Sequence, residues 1–180
     1  MLKYIIFLAL FTGLLYSCPF DEAKVEVTVV AHKAVSKALK EGDYVKVAKE
    51  IENQKELYMY FSKMDNRALY QELLDASKNQ DNKKIEKLLD YTLVLEIKEL
   101  LSEVETNFTN YQKSRLLLIK TKKHLKALTK AKEPMQYMKK ILKSIGNPGM
   151  MGVGKKEADR SIFDEYRAKL LKYLDIAYSI

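Results

Sequence analysis

The sequence predicts an all-α fold: a single bundle of six or seven helices spanning residues 18–180, behind an N-terminal signal segment, residues 1–17. Three observations predict it. The 180 residues hold only six glycines and three prolines, and four of those glycines fall between Gly146 and Gly154. The rest of the chain is therefore nearly free of helix breakers. Apolar residues recur at three- and four-residue steps over most of its length, the spacing of one helix face. Strand-like alternation is confined to Lys24–Val29, and no second strand candidate exists to pair with it.

The first helix is expected over Asp21–Lys40, with Ala23, Val27, Val30, Ala34 and Ala38 at helical steps. Glu41-Gly42-Asp43 reads as a turn in which Gly42 closes one helix in a left-handed conformation and Asp43 caps the next. The second helix runs from Tyr44 to about Ser62, with Val47, Ile51 and Tyr58 on one face. Asp65 is expected to cap a third helix, Asn66 to Lys78, and Asp81 a fourth, Asn82 to Glu105. The fourth carries Ile85, Leu88, Leu89, Leu93, Leu95, Ile97, Leu100 and Leu101 and should be central. After a polar break at Thr106–Asn110, a fifth helix is expected over Tyr111–Lys132. Pro134, suited to a first helical turn, opens a sixth that ends near Ile145. Gly146–Lys156 reads as a loop. Ser161 and Asp164, at capping-box spacing, open a last helix bearing Phe163, Leu170, Leu171, Leu174 and Ala177.

The segment Ala38–Lys46 aligns with Ala76–Lys84 at an offset of 38 residues, each a helix, an Asp-capped turn and another helix. Tetratricopeptide-like hairpins have a similar period of about 34, but their consensus is otherwise missing. Two alternatives stay open: a true repeat, or two similar hairpins in one bundle.

Ahead of the bundle, Lys3 precedes an apolar run from Tyr4 to Tyr16. A charged start followed by an apolar core marks an export signal, and the run is shorter than the roughly 20 residues of a spanning helix. It ends in Leu15-Tyr16-Ser17-Cys18, and Cys18 is the sole cysteine. This tetrad resembles the lipobox of bacterial lipoprotein precursors, in which cleavage before the cysteine leaves it as the lipidated N-terminus. The resemblance implies an exported protein of the cell envelope or periplasm, held to a membrane through Cys18; the alternatives are an ordinary signal peptide in which the cysteine falls by chance, or an uncleaved N-terminal signal anchor. A lone cysteine makes no internal disulfide, so the domain must be held by its core. With 47 % apolar and 31 % charged residues, the chain has the composition of a globular rather than a disordered protein.

Charge is unevenly placed. Residues 19–110 carry 14 basic and 18 acidic side chains, whereas residues 111–180 carry 17 and 6. Most of the excess lies between Tyr111 and Lys143, with 11 basic residues and a single acid, Glu133. Arg115, Lys122, Lys126 and Lys130 share a face of the fifth helix opposite Leu117, Leu118, Leu125 and Leu128, and Lys139, Lys140 and Lys143 extend the charge into the sixth. Such a face suits an anionic membrane surface, an acidic polysaccharide or an acidic protein; the alternative is a solvated face neutralised by the acidic first half.

Other motifs carry less. Gly149 to Lys156 is one residue from the phosphate-cradling pattern G-x-x-x-x-G-K-[ST], with Lys156 in place of the magnesium-binding hydroxyl. Without a preceding buried strand it reads as a connector, or at most an anion loop using Lys155 and Lys156. His32 and His124 have no ligand-type partner at helical metal spacing. Glu96, Glu99 and Glu103 line one helix face and read as solvated. No nucleophile elbow, zinc-protease helix or Cys–His pair is present. The expectation is a non-enzymatic envelope interaction module, without metal or cofactor and without nucleic acid as partner. The alternative is a ligand-, haem- or metal-carrying bundle using His32 and His124.

Overall fold

The protein is described by a computed structural model covering residues 20–149 and 154–180, with side chains described from Val27 onward. The signal segment, Cys18 and the tip of the glycine loop (150–153) lie outside the described residues. Among those described, the fold is all-α with eight helices: α1 Phe20–Lys40, α2 Tyr44–Asn53, α3 Lys55–Met64, α4 Leu69–Lys78, α5 Asn82–Thr106, α6 Tyr111–Leu128, α7 Lys132–Ser144 and α8 Arg160–Ala177. The strand-like stretch Lys24–Val29 lies within α1.

α1 packs on α2, α2 on α4, α4 on α5 and α5 back on α1, closing a four-helix ring. α3 leans on α4 and α5. The ring encloses one core, with Val35, Val47, Ile51, Tyr58, Phe61, Leu69, Leu73, Ile85 and Leu89 fully buried. α6 then lies along α5, α7 on α6 and α8 on α7. These bury a second core around Leu93, Ile97, Leu101, Leu118, Leu125, Met138, Ile141, Phe163, Leu170 and Leu174. α5 is the element common to both, as its leucine pattern predicts. Leu89 faces one core and Leu93 the other, one helical turn apart.

The two matched turns are superposable in their bonding. After α1, the N–H of Gly42 donates to the Leu39 carbonyl and that of Asp43 to Ala38. After α4, Gln80 donates to Ser77 and Asp81 to Ala76. This is the paired pattern that closes a helix through a left-handed residue, with φ +71° at Gly42 and +52° at Gln80. Each aspartate then accepts from the N–H three residues on, Asp43 from Lys46 at 2.9 Å and Asp81 from Lys84 at 3.0 Å. The hydroxyl of Tyr44 reaches the Asn82 carboxamide, tying one turn to the other. Because the hairpins close a ring instead of stacking openly, they are two similar hairpins in one bundle, not the start of a solenoid.

Four expectations are corrected. The helix expected over Tyr44–Ser62 is two, broken at Gln54, whose N–H turns back to Ile51. The break redirects the chain without removing Val47, Ile51 or Tyr58 from the interior. Asp65 does not cap a following helix; it closes α3, donating its N–H to Phe61, while Asn66 takes φ +50° and α4 starts at Leu69. α6 stops at Leu128, with Thr129 extended, so Lys130 lies just past its end. α8 is capped by Asp159, which accepts from the Ile162 N–H at 3.0 Å, leaving Ser161 inside the helix and Ala177 exposed.

Candidate anionic-contact face

α6 forms because Asn110 caps it, accepting from the Lys113 N–H at 3.1 Å, and because one side is apolar. Leu117, Leu118, Leu125 and Leu128 are buried with Ser114, Thr121 and His124. Two of these polar groups are absorbed locally: Thr121 Oγ1 donates to the Leu117 carbonyl and Ser114 Oγ to that of Asn107. The opposite side faces out. Arg115 and Lys126 are exposed and Lys122 half-buried on α6, Lys130 is exposed beyond it, and Lys139, Lys140 and Lys143 are exposed on α7. The structure thus brings the predicted basic stripe to two adjoining helices and the turn between them, with Lys122 alone half-buried.

Two of these cations have aromatic partners. Arg115 donates to the Tyr111 hydroxyl at 2.9 Å and lies over its ring, and Lys140 lies 5.7 Å from the Tyr166 ring centre. Lys122, Lys126, Lys130, Lys139 and Lys143 have no carboxylate within 4.0 Å among the described residues. Several acids of the first half are engaged elsewhere. Glu72 takes both arms of Arg67 at 2.8 Å, Glu41 takes Lys46, Asp90 takes His32 and Glu105 takes Arg160 and Arg167. The Arg67 guanidinium holds the Glu72 carboxyl below its ordinary value.

The remaining candidates are not gathered with this face. At the glycine loop, Asn147 and Lys156 exchange backbone hydrogen bonds of 2.8 Å, closing the base, and Lys155 pairs with Glu157 at 2.7 Å. Gly146 is required there: at φ +74°, a Cβ would stand 2.5 Å from the Lys156 carbonyl oxygen. Among the described residues no strand precedes the loop, and α8 begins only at Arg160, so the strand–loop–helix context of a phosphate cradle is missing. His32 Nε2 meets Asp90 at 2.9 Å between α1 and α5, whereas buried His124 turns Nδ1–H to the Lys120 carbonyl at 3.0 Å. Among the described residues no group of three or more His, Cys, Asp or Glu is arranged to hold a metal ion.

The acidic row departs from its expected role. Glu96 is buried and accepts from Thr28 Oγ1 at 3.4 Å, a contact across 68 residues. Glu99 accepts from the Tyr60 hydroxyl, and burial together with that carboxylate raises the Tyr60 pKa above its ordinary value. Beside them an open cleft of about 560 Å³ is lined by Met64, Glu99, Ser102, Glu103, Thr106, Asn107 and Lys113. Of its acidic side chains, Glu99 is the one that accepts from the Tyr60 hydroxyl.

Sequence reasoning missed two apolar members of the basic side. Leu116 and Ile119 are 45 % and 41 % exposed. Their signal was present, since both fall outside the arc of Leu117, Leu118, Leu125 and Leu128 on a helical wheel. Among the described residues no helix is long and apolar enough to cross a membrane. Comparison with protein-family models, curated proteins and solved structures gives no match for this chain.

Proposed function

We propose that this chain is an exported, lipid-anchored envelope protein, attached through Cys18, that acts as a non-enzymatic interaction module through the basic face of α6 and α7. The anchor is read from the lipobox-like Leu15-Tyr16-Ser17-Cys18. The observation that carries the binding role is the lack of any carboxylate partner for Lys122, Lys126, Lys130, Lys139 and Lys143 among the described residues. Neutralisation by the acidic first half would need carboxylates beside them, whereas Glu72, Glu41, Asp90 and Glu105 pair with Arg67, Lys46, His32, Arg160 and Arg167.

Folding does not call for this arrangement. Lys122 and Lys126, like Lys139 and Lys143, are four residues apart, and like charges at that spacing cost a helix about 0.2–0.5 kcal/mol. The first turn of α6 holds no acid to complement the helix dipole. A surface that is mildly unfavourable for its own helices serves a contact with something negative.

The test is retention of the purified chain on immobilised heparin, a soluble polyanion used here as probe, across a salt gradient. Wild type should be retained and released as salt rises, because a Debye length of about 10 Å at 0.1 M screens such contacts. A triple variant, Lys122→Glu with Lys126→Glu and Lys130→Glu, should lose at least tenfold in affinity. Equal retention of the two proteins, or none by wild type, overturns the reading.

A further inference from the structure

The outward side of α6 sets two aliphatic side chains among cations. Leu116 and Ile119, three residues apart, are neighbours on the helix surface, and both are close to half exposed. At 100° per residue, Arg115, Lys122 and Lys126 border this pair on one side and Lys120 on the other, with exposed Lys123 between the two, its long stem able to carry the ammonium to the surface. A polysaccharide or a carboxylate-rich protein surface answers the cations but offers nothing to two aliphatic side chains. An anionic bilayer answers both, with phosphates at its surface and acyl chains just below.

The path of the chain agrees. α1 pairs Thr28 with Glu96 and His32 with Asp90, so it runs antiparallel to α5. α5 is joined to α6 by the short turn Asn107–Asn110, and the two pack along each other. α1 and α6 therefore run in the same direction, and α1 starts at the end of the bundle where Tyr111, Arg115 and Leu116 stand. Cys18, expected to bear the lipid, precedes α1 by two residues. An anchor there would hold this end of α6 at the membrane.

We infer that α6 lies flat on an anionic phospholipid surface, with Leu116 and Ile119 at the boundary of headgroups and acyl chains and Arg115, Lys122 and Lys126 on lipid phosphates. This deepens the anionic-contact reading and rests on it.

The chain contains no tryptophan, so Leu116→Trp supplies a lone reporter in the otherwise intact full chain. With vesicles of equal parts phosphatidylglycerol and phosphatidylcholine, its emission should shift to the blue and be quenched by brominated acyl chains. Adding Lys122→Glu and Lys126→Glu should abolish both effects, and pure phosphatidylcholine should give neither. Val45→Trp, at an 84 % exposed site on α2, should stay unshifted throughout. If Leu116→Trp loses its helical circular dichroism, Ile119→Trp reports on the same face. Unshifted emission from a folded reporter, or an equal shift at Val45→Trp, overturns the proposal. Heparin retention by wild type without a blue shift overturns the bilayer alone and leaves another polyanion as partner; loss of both removes the face from either role.

Discussion

The ring of α1, α2, α4 and α5 and the layer of α6, α7 and α8 bury cores of similar quality but treat charge differently. In the ring, charged groups close on near neighbours: Arg67 on Glu72, Lys46 on Glu41, His32 on Asp90. α8 follows the same rule, with Arg160 and Arg167 on Glu105, Lys169 on Glu165 and Asp175 on Lys98. α6 and α7 do not. The opposite net charges of the two halves neutralise one another only in part, where Glu105 takes Arg160 and Arg167. Among the described residues, Lys122, Lys126, Lys139 and Lys143 remain without a carboxylate partner on two adjoining helices. Net charge per half suggested where to look; only the pairing shows which residues are left over.

The largest effect should show whether the two cores are one folding unit. Phe61 and Phe163 are both fully buried, one in each core, and Phe163 packs on Phe108 with ring centres 5.0 Å apart. Phe61→Ala and Phe163→Ala should each cost about 3–5 kcal/mol. Since α5 contributes Leu89 to one core and Leu93 to the other, each variant should still unfold in one cooperative transition with a lowered midpoint. Urea unfolding followed by circular dichroism, with hydrogen exchange on α2 and α8, reads this. A biphasic curve in Phe163→Ala, with α2 still protected, would divide the molecule into two independent domains.

A smaller effect separates the twin turns. Gly42 and Gln80 hold the same left-handed position, but only the first is glycine. A non-glycine residue in that region costs about 1 kcal/mol. Gly42→Ala should therefore destabilise by about that amount, although its Cβ would meet nothing within 4 Å. Gln80→Gly should stabilise by somewhat less, because glycine also gains freedom in the unfolded chain. Thermal melts of both variants check the pair, and the same sign in both would mean that the turns are not equivalent.

These turns also mark what was legible. Asp43 and Asp81 were readable as caps because a cap is a local bond, completed within three residues. The leucine pattern of α5 was readable for the same reason, being periodic along one element. Gln54 was not readable: no glycine or proline marks the break, and Val47, Ile51 and Tyr58 fall on one face of an unbroken helix as well. Asp65 looked like another cap, but its carboxylate is taken by the Tyr91 hydroxyl at 2.9 Å, 26 residues away. Glu96 looked solvated because nothing on its own helix shows that Thr28 covers it. The basic face was legible as a stripe, since charge and period are local properties. Its unpaired state was not, since that depends on where every distant carboxylate ends up.

The smallest expected effect separates charge that serves the fold from charge that does not, and it carries a sign. Glu72→Gln removes the two-armed partner of Arg67 and should lower stability by up to about 1 kcal/mol. The Glu72 carboxyl titrates below its ordinary value because Arg67 holds it ionised. Its contribution is therefore fully present above the ordinary carboxylate pKa and fades as pH falls through the lowered folded value. Wild type should lose that increment on acidification while Glu72→Gln, already without it, should not. On α6 the sign reverses. Lys126→Glu replaces a like-charge neighbour of Lys122 with an opposite one at four-residue spacing, and should leave stability unchanged or raise it by about 0.2–0.5 kcal/mol. Paired melts at neutral and acid pH measure both. If Lys126→Glu destabilised the protein as Glu72→Gln does, the α6 lysines would belong to the fold, and their exposure would no longer argue for a partner.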